Sequence, residues 1–219
     1  MPLVVLIVIS VVGAVELFFQ GAENGIIRGV DSVGLRVTWA QLLGFRAAVF
    51  EGMLLSNNYP PEHIMRIVTF NFVQRDLLSA IIGLAIFAAL GKHVAERFGQ
   101  MCFLAVFLIS PIVGVALYVL LTGSTGLIIG LFPAVFAMIG GYTVSQIETR
   151  RELGETILPA FSLIAFFMSI QLIFYFVFGA STEWIAEFFA FVAGFILTYL
   201  IGARSQARRK EMLNSLRRR

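Results

Sequence analysis

The chain has 219 residues, of which 59% are hydrophobic and only 13% charged, with a net charge of +3 and a mean hydropathy of +0.91. Soluble domains carry roughly 25% charged residues. Half that charge cannot cover a water-facing surface, so the composition excludes a soluble globular protein and predicts an all-α, multi-pass membrane protein. The single cysteine, Cys102, excludes an intrachain disulfide.

Six apolar runs are expected to span the membrane, at residues 2–19, 77–91, 101–121, 125–143, 157–179 and 185–203. A bilayer core requires ~20 residues of helix. Residues 77–91 fall short, and Thr69 to Val73 could extend them across a polar break. The first run has no basic flank and no A-x-A cleavage site, so a retained helix is expected rather than a signal peptide.

The 20–68 segment reads as an interfacial loop. Trp39, Leu42, Leu43, Val49, Phe50, Met53 and Leu54 recur at helical spacing between Arg36 and Leu55, which predicts one amphipathic helix lying in the membrane interface. Asn57 to Pro61 should end it.

In the fourth run, Gly126, Gly130 and Ala134 recur every fourth position. In the sixth, Ala186, Ala190, Gly194, Thr198 and Gly202 do so. Residues four apart share a helix face. Stripes of small residues let helices approach closely where lipid supplies no hydrophobic drive. The fourth and sixth spans are therefore expected to pack tightly. Ser110, Pro111 and Pro133 mark expected kinks, tolerated where neighbours satisfy the freed carbonyl.

Charge distribution sets the expected orientation. Lys92, Arg97, Arg150 and Arg151 lie between spans, and Arg204, Arg208, Arg209, Lys210, Arg217, Arg218 and Arg219 follow the last one. The short connections near 122–124 and 180–184 carry no Lys or Arg. Both termini are thus expected in the cytoplasm, with a bacterial inner membrane as the setting. Residues 1–203 form the membrane domain and 204–219 a basic tail. The tail beside a span is suited to anionic lipid rather than nucleic acid.

Several local phrases carry a family resemblance. Phe72-Val73-Gln74-Arg75-Asp76-Leu77-Leu78-Ser79 resembles an F-x-H-x-x-x-x-H segment. Gly91 to Gly99 is similar to G-x-x-x-E-x-x-x-G, and Gly123-Ser124-Thr125-Gly126 with Gly130 to G-x-S-G-x-x-x-G. Ala190-Phe191-Val192-Ala193-Gly194 is similar to A-H-x-x-G. In this order they resemble the rhomboid intramembrane serine proteases. That resemblance implies a six-helix rhomboid-like bundle with lateral access for transmembrane helices.

The departures fall on the chemistry that the resemblance implies. Thr125 stands at the nucleophilic serine, Phe191 at the base histidine, Gln74 and Ser79 at two upstream histidines, and Gly83 at the oxyanion asparagine. A hydroxyl needs an adjacent base to attack. Only two histidines exist. His93 belongs to the opposite membrane side, and His63 with Thr125 or Ser124 is the atypical alternative. Glu187 is an interfacial residue or a polar contact facing the cavity. Gln171 makes an interhelical hydrogen bond or contacts a substrate, and Glu16 is interfacial.

No metal site or cofactor is expected, because the two histidines and one cysteine are scattered and no phosphate-binding glycine motif is present. The leading reading is a rhomboid-like pseudoprotease that binds transmembrane clients or partner subunits without cleaving them. The alternatives are an intramembrane serine- or threonine-type endopeptidase with an atypical site, and an accessory subunit of a larger membrane complex. A transporter fits poorly, with no inverted repeat and sparse mid-membrane charge.

Overall fold

The computed structural model describes residues 1–26, 34–123, 125–179 and 181–217, with side chains as far as Gly202 and excepting Leu54. Ser124 and the side chains of the basic tail lie outside the described residues. The helices are α1 (Leu3–Glu23), α2 (Leu35–Leu43), α3 (Ala47–Ser56), α4 (Pro61–Thr69), α5 (Leu77–Phe98), α6 (Gln100–Thr122), α7 (Phe132–Glu152), α8 (Ser162–Phe178) and α9 (Trp184–Arg217). Two short strands, β1 (Phe45–Arg46) and β2 (Leu127–Ile128), pair antiparallel.

Among the described residues five segments are long and apolar enough to cross a membrane: Leu3–Glu23, Leu77–Phe98, Gln100–Thr122, Leu158–Phe178 and Trp184–Gly202. The protein is an integral, multi-pass membrane protein. The sixth long helix, α7, is not among the five, and burial explains its composition. Pro133 through Gly141 are all buried, as are Thr143, Val144, Ser145 and Ile147. A helix walled by other helices meets no lipid and can carry Thr, Ser and Gln.

The long helices run up and down between two ends. The strand end holds β1, β2, the start of α5 and the start of α7. The basic end holds Lys92, Arg97, Arg150 and Arg151. The core is aromatic and tight: Phe87, Phe103 and Phe107 form an edge-and-stack triangle between α5 and α6 with centroids 5.4–6.2 Å apart.

α9 packs most closely against α6 and α7, through small residues. A Cβ built on Gly114 would lie 2.8 Å from Ala190 Cβ, and one on Gly140 would lie 2.6 Å from Phe195 N. One on Gly194 would lie 2.8 Å from the Ala137 Cα and carbonyl carbon, with the Ala137 oxygen nearer still. Gly141 abuts Thr198, and Gly202 abuts Phe98.

Several boundaries differ from expectation, α7 running on to Glu152 and α9 to Arg217 among them. The fourth span begins at Phe132, not 125, because Gly130 adopts φ +117° and β2 holds the chain extended before it. Gly126 and Gly130 therefore do not share a helix face with Ala134, and the small-residue contacts of α7 come from Ala137, Gly140 and Gly141 instead. Pro133 occupies the first turn of α7, where a missing N–H costs nothing, and makes no mid-helix kink.

The stretch from Arg36 to Leu55, expected to form one helix, is divided between two. Gly44 leaves the helical region at ψ 151°, and β1 intervenes between α2 and α3. α1 continues to Glu23. α5 starts abruptly at the Asp76 cap and continues to Phe98, so Thr69 to Val73 belong to the preceding turn rather than to the span.

Candidate functional site

At the strand end a cavity of about 220 Å³ opens between the start of α5, the chain entering α7, α8 and the start of α9. Gln74, Ser79, Gln171 and Glu187 line it together with Arg75, Glu183 and Trp184.

Gln74 is 1% exposed. Its Nε2 donates to the Asn71 carbonyl at 3.0 Å, and its Oε1 accepts from the Leu131 amide at 3.0 Å. The first amides of a helix lack intrahelical partners. Gln74 therefore supplies an acceptor where the chain turns into α7. The neighbouring Gly130 amide donates to the Phe70 carbonyl at 2.9 Å, which fixes the same turn.

Ser79 is held by Asp76. Its amide donates to Oδ1 at 2.8 Å and its hydroxyl to Oδ2 at 2.8 Å, capping α5. The Ser79 amide is the main reason the Asp76 carboxyl lies below the usual carboxylate range. Gly83 lies one turn deeper, buried, where an added Cβ would meet Leu131 at an ordinary 3.8 Å.

Gln171 and Glu187 meet across α8 and α9, the Gln171 Nε2 donating to Glu187 Oε2. At the rim Arg75 pairs with Glu183. Tyr118 at the end of α6 shares a 2.9 Å hydrogen bond with Thr182, fixing the approach to α9.

The other candidates are dispersed. Thr125 is exposed in the irregular chain before β2, seven positions before the first residue of α7. Phe191 is 7% exposed and stacks between Phe188 and Phe195, with centroids 6.4 and 6.3 Å away. Neither lines the cavity.

His63, on α4, borders a crevice with Phe45, Phe50, Met53 and Arg66, and its buried Nδ1 has no hydrogen-bond partner among the described residues. His93 lies near the basic end, its Nε2 2.8 Å from Ser145 Oγ and its ring edge-on to Tyr142. Among the described residues no three His, Cys, Asp or Glu side chains converge on a point where a metal could sit.

Two interactions escape sequence reasoning. Arg75 and Glu183 are 108 positions apart. Arg36 binds Glu16 at 2.8 Å, Glu23 at 2.8 Å and the Gln74 carbonyl at 3.1 Å, and lies 5.1 Å above the Phe19 ring. Glu16 is thus buried and paired rather than interfacial. The hydrogen bond to Glu16, with that to Glu23 behind it, outweighs desolvation and raises the Arg36 guanidinium above its ordinary range. The signal was present in Glu16, Gln20 and Glu23, which share one face of α1 and call for a cation.

Comparison with known families decides the class. The model of the Rhomboid domain matches residues 61–204, the stretch from α4 into α9. The chain belongs to the rhomboid family. A similar protein is "Rhomboid-like protease 3" of Toxoplasma gondii, 27% identical over 149 residues. That alignment covers 66% of this rhomboid and 56% of the relative, so the chain spans little more than half the relative's length. In this rhomboid the matched region contains the cavity and every residue lining it, whereas α1, α2 and α3 precede it.

Proposed function

We propose that this rhomboid binds transmembrane segments at its strand-end cavity without cutting them. The observation that carries the reading is the content of that cavity. Its polar residues are two amides, two carboxylates, one arginine, the Trp184 indole and the hydroxyls of Ser79 and Ser181, the former committed to Asp76, and neither Thr125 nor Phe191 nor either histidine lines it. Peptide hydrolysis needs a nucleophile, a base that takes its proton, donors for the oxyanion, and water. A phenylalanine ring accepts no proton. A glutamine engaged at both ends, to Asn71 and Leu131, is spent on holding the turn into α7. Losing one oxyanion donor costs ~10²–10³ in rate, and losing triad members costs more.

The strand end faces outward and the basic end faces the cytoplasm in this reading, because the basic residues cluster between spans on one side. The basic tail then lies against the anionic inner leaflet.

The test is direct. The purified protein, in vesicles with a transmembrane substrate of an active rhomboid, is expected to yield no product on a gel. Thr125→Ser alone should stay silent, since serine would still lack a base. Product from the unmodified protein that Thr125→Ala abolishes would refute the reading and restore a threonine-type endopeptidase.

A further inference from the structure

Hydrogen bonding in the cavity is incomplete on one side. Gln171 gives its Nε2 to Glu187, which leaves Gln171 Oε1 buried with no hydrogen-bond partner among the described residues. The Trp184 Nε1 is buried in the same condition. Ser79 does not compensate, because its hydroxyl is committed to Asp76.

Charge is also unequal. Of the charged side chains lining the cavity, Arg75 pairs with Glu183 and acts on Glu187 only through space, while the direct partner of Glu187 is the neutral Gln171 amide. A carboxylate between membrane helices is costly unless it meets a cation or several donors. The cavity therefore presents two acceptors with capacity to spare, the Glu187 carboxylate and Gln171 Oε1.

Space and access fit a long side chain. The volume of about 220 Å³ is several times the ~30 Å³ share of a water molecule. Phe132 and Phe174 supply apolar wall for a hydrocarbon stem. On one flank stands α8, of which only Ile164 is buried, so most of its surface is available beside the opening.

We infer that the cavity receives a lysine or arginine side chain carried by the transmembrane segment of a partner, and that Glu187 selects it. The inference rests on the non-cleaving reading above and names the chemistry that reading leaves open. A cation entering from a neighbouring helix meets the Glu187 carboxylate and holds it ionised. A second N–H reaches Gln171 Oε1, and the methylene stem lies along the phenylalanines. A leucine leaves both acceptors unpaired, and a glutamate adds like charge.

The experiment uses the full chain in phosphatidylcholine vesicles. Fluorescent leucine–alanine host helices of ~20 residues carry one guest near the end that meets the cavity, lysine, leucine or glutamate. Energy transfer to the labelled protein reports binding.

The lysine host is expected to bind at least ~10-fold tighter than the leucine host, about 1.4 kcal/mol. The glutamate host should bind more weakly than either. Glu187→Gln should cut the lysine preference below ~2-fold. Gln171→Leu, which removes the second acceptor, should lower the preference and gives an independent route if Glu187→Gln fails to fold.

Equal affinity for lysine and leucine hosts, no binding of any host, or a preference that survives Glu187→Gln would overturn the inference. Cleavage of a host, seen on a gel of the same samples, would instead refute the non-cleaving reading, and the preference would then be measured in Thr125→Ala.

Discussion

Replacing Gly194 with alanine tests the contact that joins α9 to α7. The added methyl carbon would lie 2.8 Å from both the Ala137 Cα and its carbonyl carbon. Comfortable carbon–carbon contact is about 3.5–4.0 Å. All the atoms in the way are backbone, so no side chain can swing aside, and the helices must part by about 1 Å. The separation is shared with Gly140, whose own neighbours are Phe195 N and the Phe191 carbonyl, so two tight contacts loosen together. Overpacking costs ~1–3 kcal/mol, and a backbone-limited case belongs at the upper end.

For a chain of this size 1 kcal/mol moves the midpoint by roughly 2–4 °C, so Gly194→Ala should melt about 4–12 °C lower in a detergent thermal-shift assay. Gly13→Ala is the matched control. It adds the same methyl to α1, where nothing lies within 4 Å. Alanine is a better helix former than glycine by ~1 kcal/mol, so that variant should melt at or above the parent. A Gly194→Ala midpoint within about 1 °C of the parent would refute the reasoning about close backbone approach.

Other perturbations probe the ends of the bundle. Arg36→Leu leaves Glu16 buried and unpaired and should cost ~3–5 kcal/mol, with faster proteolysis of the 20–60 segment, whereas Glu23→Ala removes only an exposed partner and should cost under ~1 kcal/mol. Asp76→Ala should cost ~1 kcal/mol by uncapping α5, and Asp76→Asn much less. Because the Asp76 carboxyl is held below its ordinary range, the stability it adds is full above the unfolded value near 3.9 and lost as pH falls through the folded one. Melting curves from neutral pH to pH 3 should therefore show a smaller acid-induced drop in Asp76→Ala than in the parent. An alkaline phosphatase fused after Arg219 should stay inactive, and strong activity would reverse the proposed orientation.

The bundle was legible because lipid imposes long apolar runs and forces backbone hydrogen bonds inside each segment. What stayed hidden depends on long-range pairing. Residues 126–131 are small and apolar whether helical or extended. Only β1, more than 80 positions earlier, draws 127–128 into a strand and delays α7 to Phe132. The interfacial stripe failed for the same reason, since periodicity continues across Gly44 while the backbone does not.

In the site, Gln171 and Glu187 stood out as polar residues in apolar surroundings, and Gln74 and Ser79 through the family resemblance. The interhelical hydrogen bond expected for Gln171 goes to Glu187. The ion pair of Arg75 with Glu183 and the clamp of Arg36 join residues that no local pattern connects.

The buried central helix has a consequence for how the protein is made. α7 relies on neighbours rather than on its own apolarity, and its tightest neighbour, α9, is synthesised two helices later. Through Gly140 and Gly141 it awaits a partner that is still in the ribosome while α7 itself enters the bilayer. α7 must therefore be sheltered for the whole time that α8 and α9 are emerging, either by α5 and α6 or by the insertion machinery. A chain ending after α8 would present the open groove at Gly140 and Gly141 to lipid, which marks it for removal rather than for partial function. The protein's quality is thus checked by whether α9 arrives to close the wall around the helix made two steps before.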